Sequence, residues 1–155
     1  MTPLSFLPLA PAMAEQIADW FDDADTVRYL GGQQWLESAL RFERPAPPGP
    51  GEATAAYAWL VVAADQQPVA VVAVAVSGAR SAFLELAVAP TRRLRGVGKR
   101  VLTRLWTLPE LANVDAIYGT IEADHPGAVR LAQSAGFTRT TSVDGNLFVG
   151  RRNGT

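Results

Sequence analysis

The chain of 155 residues has no cysteine and one histidine, His125. The first absence excludes a disulfide framework, a thiolate nucleophile and any Cys-based zinc site. The second excludes a multi-histidine metal site, and with no carboxylate cluster in view no metal is expected. Charge of either sign is also in short supply. Fourteen basic residues face 15 acidic ones, for a net charge of −1, which argues against wholesale nucleic-acid binding. No apolar run approaches the ~20 residues needed to span a bilayer, so no membrane partner is expected. Residues 1–14 are apolar and Ala-rich, but the first basic side chain is Arg28 and Pro3, Pro8 and Pro11 interrupt the run. That pattern speaks against a secretory signal, and a cytoplasmic location is expected.

What is present is ordinary globular material, with 48% apolar and 19% charged residues. One compact domain over residues 1–155 is expected, large enough to bury a core without staples. Residues 4–10 read as a first strand. Pro11 suits the first turn of a helix running to about Phe21, which Asp22, Asp23 and Asp25 then break. Trp35, Leu36, Ala39, Leu40 and Phe42 share one face of a second helix. Residues 44–51 (RPAPPGPG) form a loop by composition. Three apolar runs at 57–64, 69–76 (Val-rich) and 83–89, separated by turn residues, predict an antiparallel meander covered on both faces. Helix spacing returns at 96–106. A strand at 116–122, a helix at 126–135 closed by Gly136, and a hairpin of 137–142 with 147–150 around Asp144-Gly145 complete the order. The fold class is α/β (α+β), a mixed, mostly antiparallel sheet of about seven strands flanked by about four helices.

The chemistry concentrates in residues 88–102, VAPTRRLRGVGKRVL. A strand ends at Ala89-Pro90, a Gly-containing basic loop follows, and a helix begins. Six of the 14 basic residues (Arg92, Arg93, Arg95, Lys99, Arg100 and Arg104) fall in the 13 positions 92–104. A helix N-terminus offers unpaired backbone N–H groups and a dipole that favours an anion, and Gly96 and Gly98 allow a phosphate to approach the backbone. A polyphosphate ligand is therefore expected. The nucleotide P-loop needs Gly-Lys followed by Ser or Thr, whereas Lys99 precedes Arg100. The dinucleotide fingerprint G-x-G-x-x-G is also absent. The pattern present is R-x-x-G-x-G, Arg93 to Gly98, with V-x-P just upstream.

This pattern resembles the acyl-CoA pyrophosphate loop of the GNAT N-acetyltransferase superfamily, which follows that fold's fourth strand. Ala128-Val129-Arg130-Leu131 followed by Gly136-Phe137 resembles the family's second CoA-side motif. The resemblance is specific from about Phe83 to Phe137 and covers the rest of the chain in architecture. It implies a GNAT-like fold, acetyl-CoA as co-substrate with no metal, and transfer of the acyl group to an amine by direct attack. It places CoA contacts at Leu86, Ala87, Val88, Arg93, Leu94, Arg95, Gly96, Val97, Gly98, Lys99 and His125. It also implies that pantetheine pairs with the edge of the fourth strand, where a backbone N–H near Leu86 to Val88 polarises the thioester. Glu85 and Glu122, carboxylates within apolar strands, are the candidate general bases. Tyr29 and Trp35 are candidate acceptor walls. Dimers are common in the family, so a homodimer is a further expectation.

Three positions depart from the family pattern. Leu94 stands where Gly is frequent, and His125 where Asn is frequent. Ala132 stands where many members carry the Tyr that protonates the departing thiolate. Alanine has no proton to give, so a second reading stands beside the enzyme: a non-catalytic acyl-CoA-binding module, a sensor or partner subunit.

Overall fold

The computed structural model describes residues 3–41, 53–77, 80–93, 96–122, 125–140 and 146–152. The chain runs β1 (Ser5–Pro8), α1 (Pro11–Ile17), a 3-10 segment Ala18–Asp22, α2 (Ala24–Tyr29), α3 (Gln33–Leu40), β2 (Ala53–Val62), β3 (Pro68–Ser77), β4 (Ser81–Val88), α4 (Val97–Leu105), β5 (Ala116–Ile121), α5 (Pro126–Ser134), β6 (Thr138–Thr140) and β7 (Asn146–Arg151). The seven strands form one sheet in the order β1-β2-β3-β4-β5-β7-β6. Among the described residues only β4 and β5 pair in parallel. The expected meander of β2, β3 and β4 is present, with Val-rich β3 at its centre.

Side chains alternate across the sheet, and both faces are covered. Trp59, Val61, Val72 and Val74 point to the face packed by α4, where Val101 and Leu105 are fully buried; burial of this kind stabilises by roughly 2 kcal/mol per side chain. Leu60, Val62, Val71 and Ala73 point to the opposite face with Ile17, Phe21, Trp35 and Leu36. Among the described residues no helix is long and apolar enough to cross a membrane.

The first predicted helix divides. After Ile17 the chain tightens to a 3-10 turn and then starts α2, an element not expected from the sequence. Its start is chemical rather than periodic: the Asp23 side chain accepts from the Thr26 N–H at 3.1 Å, a cap that satisfies an otherwise orphaned donor. The 44–51 loop, Phe42 and the Asp144-Gly145 turn lie outside the described residues.

Candidate functional site

The parallel pair β4 and β5 is short. Ser81, Ala82 and Phe83 pair with Ala116, Ile117 and Tyr118, and beyond them the strands part. The rest of β4 keeps its partners on β3, from Leu84↔Val74 to Val88↔Ala70. The Ala89 N–H donates to the Val69 carbonyl at 2.9 Å. Successive N–H groups along a strand alternate in direction, so those of Leu86 and Val88 point away from β3 into the open cleft. Alternation sorts the side chains as well. Leu84 and Leu86 of β4 and Ile121 of β5 pack with the α4-side core, so Glu85, Thr120 and Glu122 belong to the opposite face.

Two cavities meet in this cleft. The first, about 490 Å³, is lined by Glu85, Thr120 and Glu122 towards solvent and by Leu102, Ala132, Phe137 and Phe148 in the core. The second, about 480 Å³, runs from Leu86, Ala87 and Val88 to the start of α4, where Gly96, Val97, Gly98 and Lys99 line it with Arg92 and Arg130. Tyr29, Leu30, Leu86, His125, Ala128 and Leu131 line both.

The start of α4 is open to the second cavity. Gly96 is its N-cap, at φ 79° and without a side-chain cap, and the first backbone bond into the helix is Arg100 N–H to the Gly96 carbonyl. The N–H groups of this first turn, with the helix dipole, make the end electropositive. The two glycines differ. Gly96 is exposed, and a Cβ there would meet nothing within 4 Å, so what it supplies is the left-handed backbone. Gly98 is buried, and a Cβ would come within 2.6 Å of a Leu131 methyl on α5. Its smallness sets the contact between α4 and α5.

Arg93 lines the second cavity, but its guanidinium is turned onto α2. It donates to Asp23 Oδ2 and to Thr26 Oγ1, both at 2.8 Å, and lies 3.8 Å from Asp25 Oδ2. This guanidinium, joined by the Thr26 N–H, holds the Asp23 carboxyl below the usual carboxylate range. The pair ties the basic loop to the helix that carries Tyr29. Tyr29 in turn stacks on His125, ring centroids 4.0 Å apart and planes 29° from parallel. His125 is the N-cap of α5, its Nδ1 accepting from the Ala128 N–H at 3.4 Å.

Of the residues expected at a site, Glu85, Glu122, Tyr29, Leu86, Ala87, Val88, Gly96, Val97, Gly98, Lys99 and His125 all line one or both cavities. Trp35 does not. It is buried and stacked on Phe21 at 5.4 Å, because the apolar face of α3 packs inward with Leu36 and Ala39. Leu94 and Arg95 lie outside the described residues. Residues not singled out beforehand include Asp23 and Thr26, whose D-x-x-T spacing is a cap signature. Leu102 and Phe148 were also missed, since they read as core.

Known proteins fit this geometry. The sequence model of the acetyltransferase (GNAT) family matches residues 14–137. A curated relative, the uncharacterized N-acetyltransferase YfmK of Bacillus subtilis (strain 168), is 29% identical over 120 residues, 77% of this chain and 74% of that protein. The spermidine N-acetyltransferase from Vibrio cholerae, solved with CoA and spermine, superposes with a TM-score of 0.72 at 16% identity, over 96% of this chain and 95% of that one. The aminoglycoside acetyltransferase AAC(6')-Ib, solved with coenzyme A, gives 0.72 at 16% identity over 98% and 96%. The family match runs from α1 through Phe137 and takes in every described residue lining the two cavities except Phe148. The chain belongs to the acetyltransferase (GNAT) family.

Proposed function

We propose that this chain is an N-acyltransferase that binds acetyl-CoA or a close acyl-CoA in the second cavity and passes the acyl group to an amine entering the first. The observation that carries this reading is the meeting of the two cavities where β4 and β5 part, with an electropositive helix end at one extremity and two carboxylates at the other. The pyrophosphate would sit on the first turn of α4, with Lys99, Arg92 and Arg130 at hand. Pantetheine would run along β4, taking the Leu86 and Val88 backbone groups as an added strand does.

In the reaction the amine nitrogen attacks the thioester carbonyl carbon, the C–S bond breaks, and the nitrogen loses a proton. A backbone N–H of β4 aimed into the cleft would stabilise the developing oxyanion. Holding both substrates in one cleft supplies much of the rate. Glu85 is the better-placed base. It is half-buried at the cleft, whereas Glu122 is exposed. Glu85→Gln should lower kcat on the order of 10²-fold, in the range for loss of general-base assistance, with CoA affinity unchanged.

Structures bearing the names of spermidine and aminoglycoside acetyltransferases share this fold, which supports an amine acceptor. Ala132, buried against the first cavity, favours the second reading, a binding module without turnover. Thiol release from acetyl-CoA over a panel of polyamines, aminoglycosides, amino acids and N-terminal peptides separates the two. Release above background with any amine establishes the enzyme, while tight CoA binding with no release from any of them establishes the module.

A further inference from the structure

The first cavity has two chemically different ends. Its solvent end holds Glu85, Thr120 and Glu122, and its inner end holds Leu102, Ala132, Phe137 and Phe148, all buried. The inner end lies on the α4-side face of the sheet, in the main core cluster. It is open because α5 presents Ala132 there, where a larger side chain would close it. Its floor is anchored: Phe148 is 2% exposed, and the Phe137 ring sits against Gly150, where a Cβ would come within 2.8 Å of it. Such a floor resists the collapse that would otherwise fill the space.

An apolar cavity of ~150 Å³ holds a benzene molecule, and this one is about 490 Å³ including its polar mouth. An amine held at Glu85 lies on the other face of the sheet from Leu102, Ala132, Phe137 and Phe148, so the acceptor does not occupy the inner end. Resting on the acyltransferase reading above, we infer that the acyl donor carries an apolar chain longer than acetyl. Its tail lies between Leu102, Ala132, Phe137 and Phe148, with the thioester carbonyl at the β4 backbone. The path is continuous, since Leu86, His125, Ala128 and Leu131 line this cavity and the one that opens on α4. The reaction itself is unchanged: the longer acyl group moves to the amine nitrogen, the amine loses one proton, and the thiolate takes one to leave as CoA thiol.

The test uses unreactive S-ethyl, S-butyl and S-hexyl thioethers of CoA, titrated calorimetrically into the full chain beside CoA itself, so that no acceptor is needed. Affinity should rise roughly fourfold per methylene, so about tenfold or more from ethyl to butyl. Ala132→Phe should flatten the series, with the gain from ethyl to hexyl falling to within a few fold. The wild-type series stands on its own if that variant does not fold. Flat or falling affinity from ethyl to hexyl, with CoA bound normally, overturns this inference and leaves the acyltransferase reading standing. No binding of CoA or any thioether overturns both.

Discussion

Gly96 and Gly98 are two residues apart and answer to different physics. Gly96 holds a left-handed backbone in open space, so Gly96→Ala costs about 1 kcal/mol of strain at that point and disturbs the N–H groups that would meet a phosphate. Gly98→Ala pushes on the Leu131 methyls, the end of a partly exposed side chain that can give way, so its loss is small and falls mainly on stability. Thermal melts and CoA titrations of the two variants are expected to separate: the first loses more affinity than stability, the second more stability than affinity. Tyr29 permits a similar dissection. Tyr29→Phe keeps the ring stacked on His125, whereas Tyr29→Ala removes a contact worth about 0.5–1.5 kcal/mol. CoA affinity should therefore hold for Phe and fall roughly two- to tenfold for Ala, as read by the same titration. A comparable loss with Phe would mean that the hydroxyl, not the ring, makes the contact.

At the level of elements, α2 is the piece hardest to read in the sequence. It has six residues, fewer than two turns, and Thr26 is its one buried side chain. No hydrophobic period announces it; the acidic run 22–25 looks like a break. It exists because Asp23 caps it and Arg93 reaches across from the basic loop. α4, with Val97, Val101, Leu102 and Leu105 buried on one face, was legible from spacing alone. So was the meander, whose runs match β2, β3 and β4 to within a few residues. The tie to α2 has a pH signature. The folded-state pKa of Asp23 lies below its ordinary value of 3.8. The pair's contribution is therefore whole above about pH 4 and is lost as pH falls through the lowered value. Melting temperatures of wild type and Asp23→Asn should differ at neutral pH and converge in acid. A gap that persists once the Asp23 carboxyl is protonated would contradict the ion-pair account.

Across the whole molecule, one fastening lies far from the cleft. Arg152, just past β7, donates to the carbonyls of Val114, Trp106 and Leu111 at 2.9, 3.0 and 2.6 Å. It joins the last strand to the connection between α4 and β5. Arg152→Ala removes a donor from the Val114 and Trp106 carbonyls, while the Leu111 carbonyl keeps the Val114 N–H, and should lower stability by about 2 kcal/mol, the range for hydrogen bonds from a charged donor, with per-molecule CoA binding unchanged. Calorimetric melting checks this. The same long-range logic limits what the sequence discloses. The phosphate loop and the Gly136-Phe137 close are local patterns, visible in the string. The cleft is not, because it arises where β4 and β5 stop pairing after Phe83 and Tyr118. Nor do Leu102 and Phe148, 46 positions apart by their numbers, announce that they share a cavity wall. Trp35 shows the converse: an aromatic in the right segment goes to the core because its helix face does.

Whether the second cavity takes the pyrophosphate of CoA is read by calorimetric titration of the full chain with acetyl-CoA, in parallel with CoA lacking its 3′-phosphate. The expected Kd is on the order of micromolar, about −8 kcal/mol, weakened when a bulky residue replaces Gly96. The ligand without the 3′-phosphate should still bind, since the α4 N-terminus meets the pyrophosphate. Absence of binding at millimolar acetyl-CoA would contradict that placement and leave a GNAT fold whose loop has lost its ligand.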